Sequence, residues 1–282
     1  MSAVVISGKE LSSALAVRQA ERAAELRRRG LVPCLAVILA GQDPASAVYV
    51  RNKEKACERI GIESRVVRLP ESITQEELNA QIDALNEDPG VHGLLVQLPL
   101  PSRLDEAAAL MRVQAEKDVD GFHLLNAGRL LQGDPSVLPC TAAGILYMLK
   151  SAGVPMDGAH AVVLGRSNIA GKPAALLLLR ENCTVTICHS HTRDLPDITR
   201  QADILVSAVG KAGFVKEEMV RPGAAVIDVG INRVDGRLCG DVDYEAVSRV
   251  AGWITPVPGG VGPMTVAMLM ENTLEAACRA LR

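Results

Sequence analysis

Apolar and polar positions alternate with two different periods along the first part of the chain. An amphipathic helix is predicted over Lys9–Arg29, with Gly30 as its end and an apolar side formed by Leu11, Leu15, Val17 and Leu26. The pattern then predicts a strand at 33–39, a helix at 45–60, a strand at 62–69, a helix at 74–86 and a strand at 91–97. Strands that alternate with helices of this length indicate a parallel sheet covered on both faces. We therefore predict a first α/β lobe over residues 1–120.

A second alternation begins after a stretch spaced by glycine and proline, 117–139, which is predicted to connect two lobes. A helix is predicted at 141–149, and further strands are predicted at 161–164, 184–188, 202–208 and 224–229. Segment 253–265 is rich in glycine and proline and is predicted to be an irregular loop. A long helix, 266–281, should follow it and return to the first lobe, because it is apolar on more than one face.

These elements predict an α/β protein of two lobes that flank a cleft, the second lobe being Rossmann-like with a parallel sheet. The first domain is predicted to comprise residues 1–120 with the final helix, 266–282, and the second to comprise residues 139–262. A chain of 282 residues is long enough for two such cores.

The turn after the strand at 161–164 carries the first candidate chemistry. Gly165 ends the apolar run, and a helix restarts near Gly171. A strand, a glycine turn and a helix in this order present backbone N–H groups and a positive helix end to a pyrophosphate. The spacing departs from G-x-G-x-x-G, because Ser167 takes the place of the middle glycine. An ordinary tight turn between a strand and a helix is the alternative.

The end of the next strand bears on the choice of dinucleotide. An NAD site usually places an acid there to accept from the ribose 2′-hydroxyl. Here no acid occurs before Asp194, whereas Ser190, Arg193 and the nearby Arg166 offer donors and positive charge. This set suits a 2′-phosphate, so NADP is the predicted cofactor. A solvated polar loop is the alternative.

Charge and composition exclude several classes of function. The net charge of -3 and the aromatic content of 2% argue against a nucleic-acid surface. No apolar run is long enough to span a membrane, and the first residues lack the basic region of a signal peptide. The seven cysteines form no C-x-x-C, which favours free thiols in a reducing cytoplasm. His189 and His191 lack a third ligand nearby, so no metal site is predicted.

Four polar positions outside the glycine turn are candidates for chemistry. Tyr49 and Lys53 are four residues apart within a predicted helix and should share one face, although a surface pair is the simpler interpretation. Gln97 ends a buried strand, where α/β sheets bind ligands. Asp120, with Asp118, lies in the predicted connection, where acids are usually solvated. Cys140 has no obvious base beside it and is interpreted as a small buried residue.

Five long segments together resemble one family. They are Pro44-Ala-Ser-Ala-Val-Tyr-Val-Arg-Asn-Lys53, Val96-Gln-Leu-Pro-Leu-Pro101, Lys117-Asp-Val-Asp-Gly-Phe122, Gly165-Arg-Ser-Asn-Ile-Ala-Gly-Lys-Pro173 and Pro256-Val-Pro-Gly-Gly-Val-Gly-Pro-Met-Thr265. In this order they are similar to the bifunctional methylenetetrahydrofolate dehydrogenase/methenyltetrahydrofolate cyclohydrolase family. The resemblance runs nearly from end to end. It implies folate on the first lobe, NADP on the second, and a homodimer in one-carbon metabolism and purine biosynthesis.

The resemblance also implies site residues. Lys53 resembles the catalytic lysine, Tyr49 the residue that stacks on the folate, and Gln97 the residue beside that lysine. The implied substrate-binding positions are Tyr49, Gln97, Pro99, Asp120, Pro258, Gly259 and Gly260, and the implied cofactor-binding positions are Gly165, Arg166, Ser167, Ser190, Arg193 and Ile231. Asp120 resembles the carboxylate that holds the pterin.

One departure from the family pattern is visible. The family commonly has Pro-Cys-Thr-Pro-x-Gly, whereas this chain has Pro139-Cys-Thr-Ala-Ala-Gly144. We expect altered rigidity at this helix start and intact chemistry, because no donor or acid is lost. Two rival functions stay open: a monofunctional dehydrogenase, and a non-catalytic NADP-binding regulatory module that would leave Tyr49, Lys53 and Asp120 without a role.

Overall fold

The computed structural model of the chain describes residues 2–281. Its strands are β1 (Val4–Val5), β2 (Cys34–Ala40), β3 (Glu63–Leu69), β4 (Gly93–Val96), β5 (His160–Leu164), β6 (Thr184–Cys188), β7 (Ile204–Ser207), β8 (Ala225–Asp228), β9 (Asn232–Val234), β10 (Arg237–Cys239) and β11 (Trp253–Ile254). Its α-helices are α1 (Gly8–Arg28), α2 (Pro44–Ile60), α3 (Gln75–Glu87), α4 (Glu106–Arg112), α5 (Leu124–Leu131), α6 (Cys140–Ser151), α7 (Gly171–Arg180), α8 (Leu195–Thr199), α9 (Tyr244–Val247) and α10 (Val261–Ala280).

The chain divides into two compact units. The six-stranded unit comprises the residues up to Ser12 together with Thr141–Thr265, and the three-stranded unit comprises Ser13–Cys140 together with the segment from Val266 onward. Each unit contains a parallel sheet, so the predicted α/β class is confirmed.

The sheet of the three-stranded unit has the order β3-β2-β4. Its middle strand β2 is the apolar run Cys34–Ala40, and every residue of that strand is buried. The strand is buried on both faces because helices cover both sides of a parallel sheet, which explains the absence of alternation in its sequence. Helix α2 is fixed at both ends: Asp43 accepts from the Ser46 N–H at 2.7 Å, and Gly61 closes the helix in the left-handed conformation.

The sheet of the six-stranded unit has the order β1-β11-β8-β7-β5-β6, and all its pairs are parallel. From β5 the chain moves to β6 on one side and then to β7 on the other. The strand order therefore reverses between β5 and β7, and parallel sheets bind ligands beyond the carboxyl ends of strands at such a point. An antiparallel hairpin, β9–β10, follows β8.

The segment from Trp253 to Thr265 is more regular than its glycine and proline content predicts. Trp253 and Ile254 form β11 between β8 and β1, and α10 begins at Val261 rather than at residue 266. Pro263 is the third residue of that helix. The N–H that proline lacks has no partner within a first turn, so the helix begins there without losing a hydrogen bond.

Other elements were not predicted. The short strand β1, the hairpin β9–β10 and the short helices α4, α5, α8 and α9 lie in stretches without a clear period. Val17, which was predicted on the apolar side of α1, is 60% exposed, whereas Leu15 and Leu26 are buried. None of the described helices is both long and apolar enough to cross a membrane.

Candidate active site and cofactor site

A lysine and a glutamine meet in the three-stranded unit at the end of β4. Lys53 lies on α2, one turn after Tyr49, whose side chain is 37% exposed. The Nζ of Lys53 donates to the Oε1 of Gln97 at 2.9 Å. The Nε2 of Gln97 donates to the Leu98 carbonyl at 2.6 Å, which turns the amide oxygen of Gln97 toward the lysine. The two catalytic candidates are thus paired, and the Leu98–Pro99 bond beside them is cis.

The carboxylate of Asp120 lies close enough to the Lys53 amine for their charges to interact. Burial lowers the pKa of Lys53, and the negative charge of Asp120 opposes that effect. Burial raises the pKa of Asp120, and Lys53 opposes that effect in turn. Both side chains are nevertheless partly exposed. A lysine of lowered pKa that still reaches solvent is suited to accept a proton near neutral pH.

Asp118 is not a solvated acid, contrary to the interpretation of this acid pair as part of an exposed connection. It is 5% exposed, and its carboxylate accepts from the N–H of Gly121 at 3.0 Å and the N–H of His123 at 2.9 Å. The amide of Asn126 donates to it at 2.8 Å. These bonds fold the segment that carries Asp120 into one conformation.

A residue of α10 holds the same segment from the other side. The Nδ2 of Asn272 donates to the carbonyls of Val119 at 2.8 Å and Leu138 at 2.9 Å, and lies 3.5 Å from the Sγ of Cys140. The thiol of Cys140 is buried, and burial raises its pKa well above the ordinary value. Cys140 is therefore a neutral thiol beside Asp120, as expected for a small buried residue and not for a nucleophile.

The glycine turn of the six-stranded unit joins β5 to α7. Gly165 has φ +112°, and a Cβ there would overlap the carbonyl of Ala208, the residue that follows β7. A Cβ on Gly171 would overlap the carbonyl of Gly165. Both glycines are required by close backbone approach at the point where the strand order reverses.

Hydrogen bonds within the chain order the start of α7. The Oγ of Ser167 accepts from the N–H of Ala170 at 3.2 Å and the N–H of Gly171 at 3.3 Å, and the Lys172 N–H donates to the Ser167 carbonyl at 3.1 Å. Some of the N–H groups at the start of α7 therefore have acceptors within the chain, and the prediction that this turn binds a pyrophosphate stays a prediction. Ser167, at the position of the middle glycine, supplies the Oγ acceptor, and the N-cap residue of α7 is Ala170.

The end of β6 keeps the donors expected for a 2′-phosphate. Ser190, Arg193 and Arg166 are all exposed, and no hydrogen bond or ion pair engages either arginine among residues 2–281. The turn after β6 is ordered by the N–H of His189, which donates to the Oγ1 of Thr192 at 2.9 Å. Two unpaired guanidinium groups with no carboxylate at the strand end fit NADP better than NAD.

Two further predicted segments lie in the six-stranded unit. Ile231 follows β8 at the carboxyl edge of the sheet and is 48% exposed. Pro258, Gly259 and Gly260 precede α10, and the carbonyl of Gly259 accepts from the Lys9 N–H at 2.9 Å. The loop is therefore tied to the start of α1.

Comparison with known proteins identifies the family. The family described as "Tetrahydrofolate dehydrogenase/cyclohydrolase, catalytic domain" matches residues 6–120, and the companion "NAD(P)-binding domain" matches residues 139–281. The chain belongs to the tetrahydrofolate dehydrogenase/cyclohydrolase family.

Relatives in this family match the chain over its whole length. The "Bifunctional protein FolD" of Burkholderia pseudomallei (strain 1106a) is 58% identical over 99% of each chain. The bifunctional FolD structure from Campylobacter jejuni has a TM-score of 0.96 at 48% identity and covers 98% of this chain and 99% of its own. The Trypanosoma brucei FolD structure, described as complexed with NADP cofactor and inhibitor, has a TM-score of 0.96 at 43% identity, over 100% of this chain and 99% of its own. The predicted resemblance is confirmed.

Sequence reasoning missed the residues that hold the site of this family member in place. Asn272 lies within a helix whose pattern shows only that it is largely apolar. A polar residue on such a helix is the only available signal, and it does not name a partner. Asp118 was interpreted as solvated. Its three donors come from residues 121–126, where the sequence shows no helical or strand periodicity that would predict these bonds.

Proposed function

We propose that the chain oxidises 5,10-methylenetetrahydrofolate to 5,10-methenyltetrahydrofolate with NADP+ and hydrolyses the product to 10-formyltetrahydrofolate. The observation that carries this proposal is the Lys53–Gln97 pair beside Asp120, within a chain of the dehydrogenase/cyclohydrolase family. The three-stranded unit would bind the folate, with Tyr49 against its rings. Asp120 would accept from the pterin N–H groups.

The cofactor fits the residues of the six-stranded unit. Gly165 brings the turn close to β7, while Arg166, Ser190 and Arg193 supply exposed donors for the 2′-phosphate, and Ser167 and Ile231 are the other proposed contacts. When bound, NADP+ is the two-electron acceptor for the methylene carbon of the folate. The folate nitrogen lone pairs assist that oxidation, so the main task of the protein residues is orientation.

Lys53 has its chemical role in the second step. Water adds to the methenyl carbon and loses one proton to a base. The bond from that carbon to N5 then breaks as the remaining hydroxyl proton moves to N5, which leaves the 10-formyl product. A neutral Lys53 would take the proton from the water or from its adduct, with Gln97 fixing the direction of the Nζ. Burial and the cationic substrate both disfavour the ammonium form, which keeps the base available.

Further assignments rest on the family resemblance. Pro99, Pro258, Gly259 and Gly260 would line the folate site. We also propose a cytoplasmic homodimer whose product feeds purine biosynthesis. Size-exclusion chromatography with light scattering would test the dimer, and a monomer mass would contradict it.

The decisive experiment is a spectrophotometric assay of the purified protein. Reduction of NADP+ by 5,10-methylenetetrahydrofolate, compared with NAD+, measures the first step, and the decay of added methenyltetrahydrofolate measures the second. Both signals, with NADP+ preferred, are expected. Reduction without accelerated decay would show a monofunctional dehydrogenase, and NADP+ binding without either reaction would show a regulatory module.

A further inference from the structure

Two buried carboxylates lie near the carboxyl edge of the six-stranded sheet. Neither belongs to the predicted site residues. Asp228 is the last residue of β8 and is 3% exposed, and Asp241 follows β10 and is fully buried. Neither is assigned a role by the proposed reaction. Burying ionisable groups is costly unless hydrogen bonds satisfy them, so their partners indicate what they do.

Asp241 gathers two loops that follow neighbouring strands. Its carboxylate accepts five hydrogen bonds, from Val209 N (2.7 Å), Gly210 N (3.1 Å), Lys211 N (2.9 Å), Ser207 Oγ (3.3 Å) and Asn232 Nδ2 (3.0 Å). Four of these donors belong to the end of β7 and the loop after it, and one belongs to the segment after β8. These five donors are three backbone N–H groups, one hydroxyl and one side-chain amide, and none of them is a cationic side chain.

Asp228 fixes the beginning of the same segment. Its Oδ1 accepts from Gly230 N at 3.0 Å and from Asp241 N at 2.9 Å, and its Oδ2 accepts from Val242 N at 2.9 Å. A Cβ on Gly230 would overlap the carboxylate of Asp241. Residue 230 therefore has no space for a side chain, and the N–H groups of residues 230, 241 and 242 are all bonded to Asp228.

These bonds bracket Ile231. Residue 230 is tied to Asp228, residue 232 is tied to Asp241, and the exposed Ile231 is held between them at the edge where parallel sheets bind ligands.

We propose that Asp241, supported by Asp228, is a positioning residue of the NADP site: it sets the backbone at Ile231 and the loop after β7 in the conformation that receives the cofactor. This inference rests on the proposed function, because it requires that Ile231 contact NADP. Asp241 itself is fully buried, so it would act through the loop that it holds.

An amide at position 241 tests the inference. Asp241→Asn places an NH2 group against donors that now bond to a carboxylate oxygen, so at least one loop must move. Asn232→Ala is the milder probe, since it removes only the bond at 3.0 Å beside Ile231. Asp203→Asn is the matched control: it removes one negative charge from the same unit, immediately before β7 at the opposite edge of the sheet.

Two readouts separate positioning from general stability. Calorimetric titration with NADP+ alone measures cofactor affinity without turnover, and steady-state assays give separate KM values for NADP+ and for the folate. For Asp241→Asn we expect NADP+ affinity to fall about tenfold or more, with cyclohydrolase turnover within about twofold of wild type. Asn232→Ala should show a smaller loss of the same kind, and Asp203→Asn no loss.

Unchanged NADP+ affinity in folded Asp241→Asn, or equal losses for NADP+ and the folate, would overturn the inference. If Asp241→Asn does not fold, Asn232→Ala decides by the same criteria. Wild-type protein that binds no NADP+ would overturn the proposed function itself. Wild-type protein that binds NADP+, with variants that bind it equally well, would overturn the positioning role alone.

Discussion

The Nζ of Lys53 donates to the Oε1 of Gln97 over 2.9 Å, although 44 residues separate them in the chain. The second hydrogen bond of Gln97, to the Leu98 carbonyl, fixes which end of the amide faces the lysine. A neutral acceptor orients the amine without adding the negative charge that would favour its protonation. Glutamine at this position therefore orients Lys53 without raising its pKa, as a glutamate would.

Replacing Lys53 by methionine separates the two reactions. We expect Lys53→Met to reduce cyclohydrolase turnover by about 10²-fold or more, as loss of a general base does, and to reduce dehydrogenase turnover less. The measurement is both assays on one preparation, with Lys55→Met on the same helix as the control. A dehydrogenase loss at least as large as the cyclohydrolase loss would contradict the assigned role.

Replacing Gln97 by glutamate should change the pH dependence. A base acts when deprotonated, so wild-type cyclohydrolase activity should rise with pH through the pKa of Lys53, which burial places below the ordinary 10.5. The carboxylate of Gln97→Glu favours the ammonium form and should move that rise to higher pH, with about tenfold less activity near pH 7.

The control for this prediction is Gln114→Glu, which adds the same charge at an exposed position of the same unit. Its pH profile should match that of the wild type. A Gln97→Glu profile that coincides with the wild-type profile would mean that Lys53 is not the group that titrates.

Removing the arginines at the end of β6 and after β5 should alter cofactor choice. Arg193→Ala and Arg166→Ala should each raise the KM for NADP+ about tenfold and leave the KM for NAD+ nearly unchanged, because only NADP carries the 2′-phosphate. Arg200→Ala is the control, since Arg200 pairs with Asp197. Equal increases for both cofactors would place these arginines elsewhere on the ligand.

Asp228 should give the folded protein an unusual response to pH. Burial raises its pKa from 3.8 to about 6, so between these values the folded state binds more protons than the unfolded state. Its contribution to stability therefore falls as pH rises from 4 to 6, by roughly 3 kcal/mol in all. Urea unfolding should show wild type losing free energy of unfolding relative to Asp228→Asn over that range.

Asp243 provides the opposite case for comparison. Its hydrogen bond to Lys216 lowers its pKa, so its contribution is present above the unfolded value and is lost as pH falls. The free energy of unfolding of wild type, relative to that of Asp243→Asn, should therefore increase as pH rises over the same range. If the free energy of unfolding relative to wild type changed with pH in the same direction for both variants, burial would not raise the pKa of Asp228.

Local patterns in the sequence predict those parts of the fold that depend on neighbours in the chain. The buried run Cys34–Ala40 and the turn from Gly165 to Gly171 follow from apolar runs and glycine positions, and the structure contains both. The hydrogen bonds that the Ser167 Oγ accepts from the start of α7 were not predicted, because a serine in a glycine turn does not reveal its partners.

The site depends on contacts between distant residues, which periodicity does not encode. The helical pattern favoured a surface position for Lys53, and only the resemblance to a family implied that Gln97 lies beside it. Asn272 and Asp241 were not predicted, since their partners lie on other elements. The hydrogen-bond partners of such buried polar residues are known only from the folded structure.

The position of β1 in the large sheet has a consequence for synthesis. Among the strands that the structure describes, β1 pairs only with β11, so the ribosome must add more than two hundred further residues before Val4 and Val5 can pair. The strands of the smaller sheet all lie between Cys34 and Val96, and their pairing can start much earlier. A nascent chain should therefore leave the backbone of β1 unpaired for most of its time on the ribosome, and complete its six-stranded sheet last.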